Sequence, residues 1–332
     1  MTNERDKLIV TSSTPAVGNA VTVLLYEFPE EYAQLVHKRF PSVRVLTAKD
    51  AASLDEQVSQ ADVLLAHRFP VEIFDKALRL RWFQCASAGI DTILPIRDRI
   101  GALIVTNVRG MHGEVIADYV MTGIAMMHWN LPQFLHDQSR KAWHPRALAP
   151  LAGQTLGVVG LGSIGTAIAR RGKAFGMTVI GSKRDINEPV DGVDKLFPPE
   201  SVAELLRLSD FVVLAVPHVP ETVRLIGREQ LRLMRRSAVL VNIARGSAVA
   251  ESELIEALKA GTIAGAVLDV FEREPLAADS PLWTMSNVIV TPHIAGWMSD
   301  YDNRVLEIFN DNLERYLDKT PLRNVVDLNR GY

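Results

Sequence analysis

The sequence contains a single cysteine, Cys85, in 332 residues. One thiol excludes an intrachain disulfide and a cysteine-built zinc cluster, and it suits a reducing compartment. A surplus of either charge is also missing. The 36 Lys and Arg residues stand against 39 Asp and Glu, a net charge of −3. That removes the electrostatic case for binding nucleic acid or an anionic membrane surface. No apolar run approaches the ~20 residues needed to span a bilayer, and residues 1–18 hold too short an apolar stretch for a signal-peptide core. The expectation is a cytoplasmic protein with no nucleic-acid or membrane partner and no metal. Internal repeats and low-complexity segments are also lacking.

What remains is an ordinary globular composition, 48% hydrophobic and 23% charged, in a chain long enough for two cores. A strand at 8–11 and a loop over 12–18 are the reading of the first stretch. From residue 21 the pattern clears. Strands are predicted at 21–27, 43–48, 61–67, 81–87 and 102–107, with helices at 29–40, 50–60 and 71–78 between them. Strands alternating with helices imply an α/β fold with a parallel, doubly wound sheet. A long helix follows over 113–130 and is stopped by Pro132. Its apolar residues are too dense for a surface helix, which predicts a place between domains or at a subunit contact. Residues 133–150 are polar with isolated aromatics. A second alternation then runs from 153 to 293, with segments 201–210, 211–217, 231–238, 239–245, 251–261, 265–271 and 287–293. An amphipathic helix at 300–319 and a short apolar tail at 321–327 close the chain.

The second alternation opens on Gly160-Leu161-Gly162-Ser163-Ile164-Gly165. This G-x-G-x-x-G lies between a predicted strand at 156–159 and a predicted helix, with another strand at 177–180. That context makes it a dinucleotide site. Gly160 permits the tight turn, Gly162 admits the pyrophosphate, and Gly165 lets helix and strand pack closely. The helix N-terminus offers N–H groups to the phosphates. Three polar residues, Arg245, Asp269 and His293, stand at the ends of later strands of the same alternation. Each alone also fits a structural role, as a surface arginine, a helix cap or a loop histidine. In open α/β sheets, however, ligands bind beyond the strand carboxyl ends, and three such residues together point to a site there.

The chain also resembles the D-isomer-specific 2-hydroxyacid dehydrogenases. The matching segments are Ser87-Ala88-Gly89-Ile90-Asp91, Ile116-Ala117-Asp118-Tyr119, Gly160 to Gly165, Val241 to Gly246, Leu268 to Pro275, Thr291 to Gly296 and Asn324 to Asp327. The resemblance implies two Rossmann-like domains, with a nucleotide domain at 113–293 inserted in a substrate domain made of 1–112 and 294–332. It implies a catalytic trio of Arg245, Glu274 and His293. The chemistry agrees, since reducing a 2-oxo acid needs a hydride at carbon, a proton at oxygen and a cation for the carboxylate. His293 is the acid/base available near neutral pH, and Glu274 would orient its ring. Arg245 offers a planar two-pronged donor. The family pattern carries cofactor contacts onto Gly160, Gly162, Ser163, Ile164, Gly165, Ser182, Lys183, Arg184, Val216, Pro217, Ala244, Arg245, Asp269 and His293, with Asp269 on the nicotinamide carboxamide. It carries substrate contacts onto Ala88, Gly89, Arg245 and His293. Trp297, His67 and Arg68 fit either the pocket or ordinary packing. Residues 114–150 resemble the segment through which relatives form homodimers.

One position departs from the NAD pattern. NAD sites carry an acid at the end of the second strand, about 20 residues past the glycines. Here Lys183 stands in that place, flanked by Ser182 and Arg184. Two cations and a hydroxyl suit a 2′-phosphate, although Asp185 two residues on would restore an acid. NADP(H) is therefore expected to be preferred, with NAD(H) possible. The expected reaction is reversible reduction of a small 2-oxo acid such as glyoxylate or hydroxypyruvate, or a larger one, to the D-2-hydroxy acid. The alternatives are a formate or phosphite dehydrogenase relative and a catalytically idle NAD(P)-sensing corepressor-like protein. The intact trio argues against the last.

Overall fold

The computed structural model describes residues 20–331; the strand predicted at 8–11 and the loop at 12–18 lie outside them. The chain divides into two compact units. One takes the chain up to Val108 and again from Asp302, and the other is Arg109–Tyr301. Residues 109–112 and 294–301, placed with the substrate domain on sequence, fall in the second unit. Elements of that unit secure them: His112 caps its first helix, and the N–H groups of Ile294 and Ala295 donate to Asp269 at 2.9 Å each.

The first unit runs β1 (Thr22–Tyr26), α1 (Glu30–Arg39), β2 (Arg44–Ala48), α2 (Ala51–Gln57), β3 (Val63–Ala66), β4 (Trp82–Cys85) and β5 (Ile104–Thr106). The strands pair in parallel in the order β2-β1-β3-β4-β5. Val23, Leu24 and Leu25 of β1 and Val63, Leu64 and Leu65 of β3 are wholly buried. A parallel sheet covered on both faces requires such runs. Asp50 caps α2, its carboxylate accepting the Ser53 N–H at 2.8 Å. The helix predicted at 71–78 is a 3-10 segment, Val71–Lys76, in which only Ile73 is buried. One buried side chain gives no stripe on which a longer α-helix could pack.

The last helix, Tyr301–Leu317, and the tail close this unit through a buried polar network. Trp82 Nε1 donates to Thr106 Oγ1 at 2.7 Å, and Thr106 in turn donates to Gln84 Oε1 at 2.8 Å. Asn312 Nδ2 reaches the same Gln84 oxygen at 3.2 Å, and its Oδ1 accepts the Arg323 N–H at 2.8 Å. The tail then docks beside β5, with Val326 N–H on the Val105 carbonyl at 2.9 Å.

The second unit begins with α3 (Gly113–His128) and α4 (Leu131–Ser139). Asn130, in the left-handed conformation, separates the two, so Pro132 opens α4 rather than only stopping α3. Ile116, Ala117, Val120, Met121 and Ile124 of α3 are buried inside this unit. This buried face packs on the glycine-motif helix, and a Cβ on Gly113 would lie 3.2 Å from Ala167 Cβ. Beyond it come β6 (Thr155–Val159), α5 (Ser163–Ala174), β7 (Thr178–Ser182), β8 (Lys195–Phe197), α6 (Val202–Leu208), β9 (Phe211–Leu214), α7 (Arg228–Leu233), β10 (Val239–Asn242), α8 (Glu251–Lys259), β11 (Gly265–Leu268) and β12 (Val288–Val290). In α7, Gln230 Oε1 accepts the Gly227 N–H at 3.2 Å and opens the helix. The sheet is parallel throughout, in the order β12-β11-β10-β9-β6-β7-β8. The order reverses between β6 and β9, the place where such sheets bind dinucleotides.

Candidate active site

The glycine motif follows β6 at that reversal, and its three glycines have different causes. Gly160 has φ +100°, and a Cβ there would lie 2.5 Å from the Ala215 carbonyl oxygen. A Cβ on Gly165 would lie 2.0 Å from the Gly160 oxygen. The chain's own packing demands both. Gly162 has φ −82°, open to any residue, and a Cβ there would meet nothing within 4 Å. Its missing side chain leaves a space that the protein does not fill, directly ahead of α5. Ser163, Ile164 and Gly165 are the first residues of that helix, ahead of Thr166, whose N–H bonds back to Gly162. Their N–H groups have no partner in the helical ladder. Val216 and Pro217 follow β9, which is tied to the motif strand by Ala215 N–H on the Val159 carbonyl at 2.9 Å. These features fit the pyrophosphate of a dinucleotide.

The end of β7 adjoins this turn. Val159 pairs with Ser182, and the buried Ser182 carbonyl accepts the N–H groups of Gly160 and Leu161 at 3.1 and 3.0 Å. Lys183 is the next residue, its backbone fixed by an N–H bond to the Phe197 carbonyl of β8 at 3.1 Å. Arg184 follows and is exposed. The Asp185 carboxylate is engaged in its own turn, where Oδ1 accepts the backbone and side-chain N–H groups of Asn187 at 3.0 and 3.1 Å.

The other polar residues stand beyond β10, β11 and β12, which are neighbours in the sheet. Past β10, the buried Asn242 side chain folds the turn that carries Arg245. Its Oδ1 accepts the Ala244 N–H at 3.1 Å and its Nδ2 donates to the Arg245 carbonyl at 3.0 Å. Arg245 Nη1 donates to the Ala244 carbonyl at 2.7 Å. Gly246 is obligatory, since a Cβ there would lie 1.8 Å from the Phe271 carbonyl carbon. Past β12, His293 Nδ1 lies 2.8 Å from Glu274 Oε2, and Glu274 Oε1 accepts the Phe271 N–H at 3.0 Å. One carboxylate oxygen is thus pinned by backbone and the other fixes the imidazole. The His293 side chain is 49% exposed, enough for a small molecule to reach it.

Asp269, past β11, is buried, and its carboxylate is largely used inside the protein. Oδ1 accepts from Thr291 Oγ1 at 2.6 Å and from the Ile294 N–H at 2.9 Å, while Oδ2 accepts the Ala295 N–H at 2.9 Å. Asn242 and Thr291 lie within the quoted motif segments but were not singled out on sequence. Neither has a signal of its own, because each acts through a partner that only the fold supplies. In the first unit, Ala88 and Gly89 follow β4. Asn107 Nδ2 holds the Ala88 carbonyl at 2.9 Å and Ser87 Oγ holds that of Gly89 at 2.7 Å. Among the residues left between pocket and packing, the His67 ring stacks on Phe28 at 4.9 Å, Arg68 is exposed, and the Trp297 indole is 75% exposed. No helix among the described residues is long and apolar enough to cross a membrane.

The chain is similar to known proteins. The model of the D-isomer specific 2-hydroxyacid dehydrogenase NAD binding domain matches residues 121–295. The glyoxylate reductase of Korarchaeum cryptofilum is 37% identical over 270 residues, 78% of this chain and 80% of that protein. The crystal structure of a D-isomer specific 2-hydroxyacid dehydrogenase family protein from Aeromonas salmonicida is similar with a TM-score of 0.83 and 35% identity, covering 93% of this chain and 100% of the other. An NADPH-dependent glyoxylate/hydroxypyruvate reductase from Sinorhizobium meliloti, solved with NADP and sulfate, also reaches 0.83, with 26% identity over 94% of this chain and 100% of that one.

Proposed function

The chain belongs to the D-isomer specific 2-hydroxyacid dehydrogenase family, and from that premise we propose that it reduces a small 2-oxo acid reversibly to the D-2-hydroxy acid. It is an NAD(P)-dependent oxidoreductase acting on CH–OH donors. The observation that carries the reading is the 2.8 Å contact between His293 Nδ1 and Glu274 Oε2 on a half-exposed imidazole. When bound, the nicotinamide supplies the hydride to the carbonyl carbon. The protein supplies the rest. With Nδ1 held by Glu274, His293 presents Nε2 to the substrate and delivers a proton to the oxygen as charge develops there. In the oxidative direction it takes that proton back. Arg245 binds the carboxylate through its planar fork. Glyoxylate and hydroxypyruvate head the substrate candidates, since similar proteins carry those names.

The proposed cofactor is NADP(H) in preference to NAD(H). Lys183 directly follows the residue paired with the glycine-motif strand, and Asp185 is occupied by Asn187. Ser182 and Arg184 complete the 2′-phosphate contacts in this reading, and a cytoplasmic setting accompanies it. The test is a panel of 2-oxo acids, with formate and phosphite in the oxidative direction, assayed with NADPH and NADH. His293→Ala should lower turnover by about 100-fold or more, the scale of general acid catalysis. Near-normal turnover in that variant would refute the role of His293. A wild-type chain that binds NADPH but turns over nothing in the panel would be a nucleotide sensor.

The same unit carries a surface for a second copy. Trp129, Leu131, Leu135 and Trp143 are exposed close together in sequence, with Trp143 92% accessible, whereas Phe134 lies under Arg146. Large exposed apolar groups of this kind mark interfaces, and an isologous contact would cover them in pairs. A homodimer is expected in sedimentation at micromolar concentration. A stable monomer there would remove this part of the reading.

A further inference from the structure

Tyr119 lies on α3, away from every strand end in sequence, yet its phenol oxygen is 2.6 Å from Thr291 Oγ1. Thr291 Oγ1 is itself 2.6 Å from Asp269 Oδ1. The hydrogens can be assigned by counting. A carboxylate only accepts, and a threonine hydroxyl has one hydrogen. That hydrogen goes to Asp269, so the Tyr119 O–H must donate to Thr291. The chain of bonds therefore has one direction, from Tyr119 through Thr291 to Asp269. Burial pushes the Tyr119 phenol up to about 12, with the Thr291 bond acting the other way and the Asp269 charge adding to the rise. The donor keeps its proton through the neutral and moderately alkaline range.

The end of this chain holds the catalytic turn. His293 has φ +53°, a left-handed conformation that costs an L-residue about 1 kcal/mol or more. Asp269 secures it, because its carbonyl accepts the His293 N–H at 2.8 Å and its carboxylate accepts those of Ile294 and Ala295 at 2.9 Å. A carboxylate offers about four acceptor positions, and the Thr291, Ile294 and Ala295 donors fill three. The one that remains is on Oδ2, where it suits an N–H of the nicotinamide carboxamide. One carboxylate rotamer thus sets the turn that carries His293 and aims the remaining acceptor.

We propose that Tyr119 is a positioning residue for this site: through Thr291 it sets the Asp269 carboxylate that holds the His293 turn. The inference rests on the proposed function for its kinetic consequence but not for its structural one, and the experiment separates them. Tyr119→Phe keeps the ring and removes the donor. In the protein without cofactor, hydrogen exchange at the Ile294 and Ala295 amides should speed up by about tenfold, the loss of one buried hydrogen bond. Amides of the β6 strand should not change. In the reductase assay kcat should fall by roughly five- to twentyfold, with KM for the 2-oxo acid within about twofold, because the reacting group and not substrate capture is disturbed. Thr291→Ser alone keeps the hydroxyl and should leave both readouts near wild type. Thr291→Val should lose both, and adding Tyr119→Phe to it should change neither further, since the two act as one unit. Unchanged exchange at Ile294 and Ala295 in Tyr119→Phe would overturn the proposal, as would a uniform rise in exchange across the unit with kcat retained. If the wild type reduces no 2-oxo acid, the proposed function fails and the exchange comparison still decides whether Tyr119 holds the turn.

Discussion

Both sheets reverse their strand order once, between β1 and β3 in the first unit and between β6 and β9 in the second. The two reversals are furnished differently. Past β1 comes Phe28, buried, with its ring stacked on His67 past β3 at 4.9 Å and 10° between planes. The helix that follows, α1, opens on Glu30 and Glu31 behind Pro29. Its positive end is met by the chain's own carboxylates, which favour that position and would repel a phosphate. Past β6 comes Gly160, then Gly162 beside open space, and the first turn of α5 carries no acid. Shared topology offers two crevices, and the few residues behind the first strand of each decide which one can take a dinucleotide.

The sharpest way to break this comparison is to give the second turn the character of the first. Gly162→Glu places a carboxylate at the α5 N-terminus, where backbone and space both accept a side chain. The fold should stand, with Tm of the cofactor-free protein unchanged, while NADPH affinity falls by about 100-fold or more, roughly 3 kcal/mol. Fluorescence titration with NADPH reads this directly. Affinity within threefold of wild type would mean that the space at Gly162 is not where the phosphates lie.

Acid should also distinguish the units. Burial lowers the His112 imidazole to about 4 in the second unit, where its Nδ1 has no hydrogen-bond partner. Burial also lowers His67 in the first, but the Asp302 carboxylate opposes the shift. A folded-state pKa below the unfolded value means that stability is fully present above about pH 6.5 and is lost as pH falls toward 4. For His112 the loss amounts to about 3 kcal/mol across that window. Urea denaturation between pH 7 and 4 should show it, and His112→Asn should flatten the acid limb by most of that amount. An unaltered limb would place the acid sensitivity elsewhere.

The cofactor preference is expected to be the smallest of these effects. Lys183 is partly exposed and Arg184 exposed, and screening limits such pairs to a few kcal/mol at most. The wild type should therefore favour NADPH over NADH by about 10- to 100-fold in kcat/KM, less at high salt. Lys183→Asp should reverse the order by repelling the phosphate and accepting the ribose hydroxyl. A wild-type ratio near one, or favouring NADH, would show that Lys183 does not face the 2′-position.

The sequence by itself determined the α/β alternation, the parallel character of both sheets, the glycine motif and the strand-end residues Arg245, Asp269 and His293, whereas Glu274 entered only through the family resemblance. These were legible because each rests on local information. Buried parallel strands read as apolar runs, glycines are required where the chain turns tightly, and polar residues at strand ends follow from the alternation itself. Where an element owes its existence to a neighbour, the reading failed. β8 is three residues long and exists through its pairing with β7. The 71–76 segment lacks enough buried side chains for an α-helix. Only the tertiary structure joined Tyr119 to Thr291 and Asp269, Gln84 to Asn312, and Phe28 to His67. Helix and strand patterns are set by hydrogen bonds and packing that repeat along the chain at short range. The partner of a buried hydroxyl or amide is chosen when distant elements come together, and no spacing in the sequence records it.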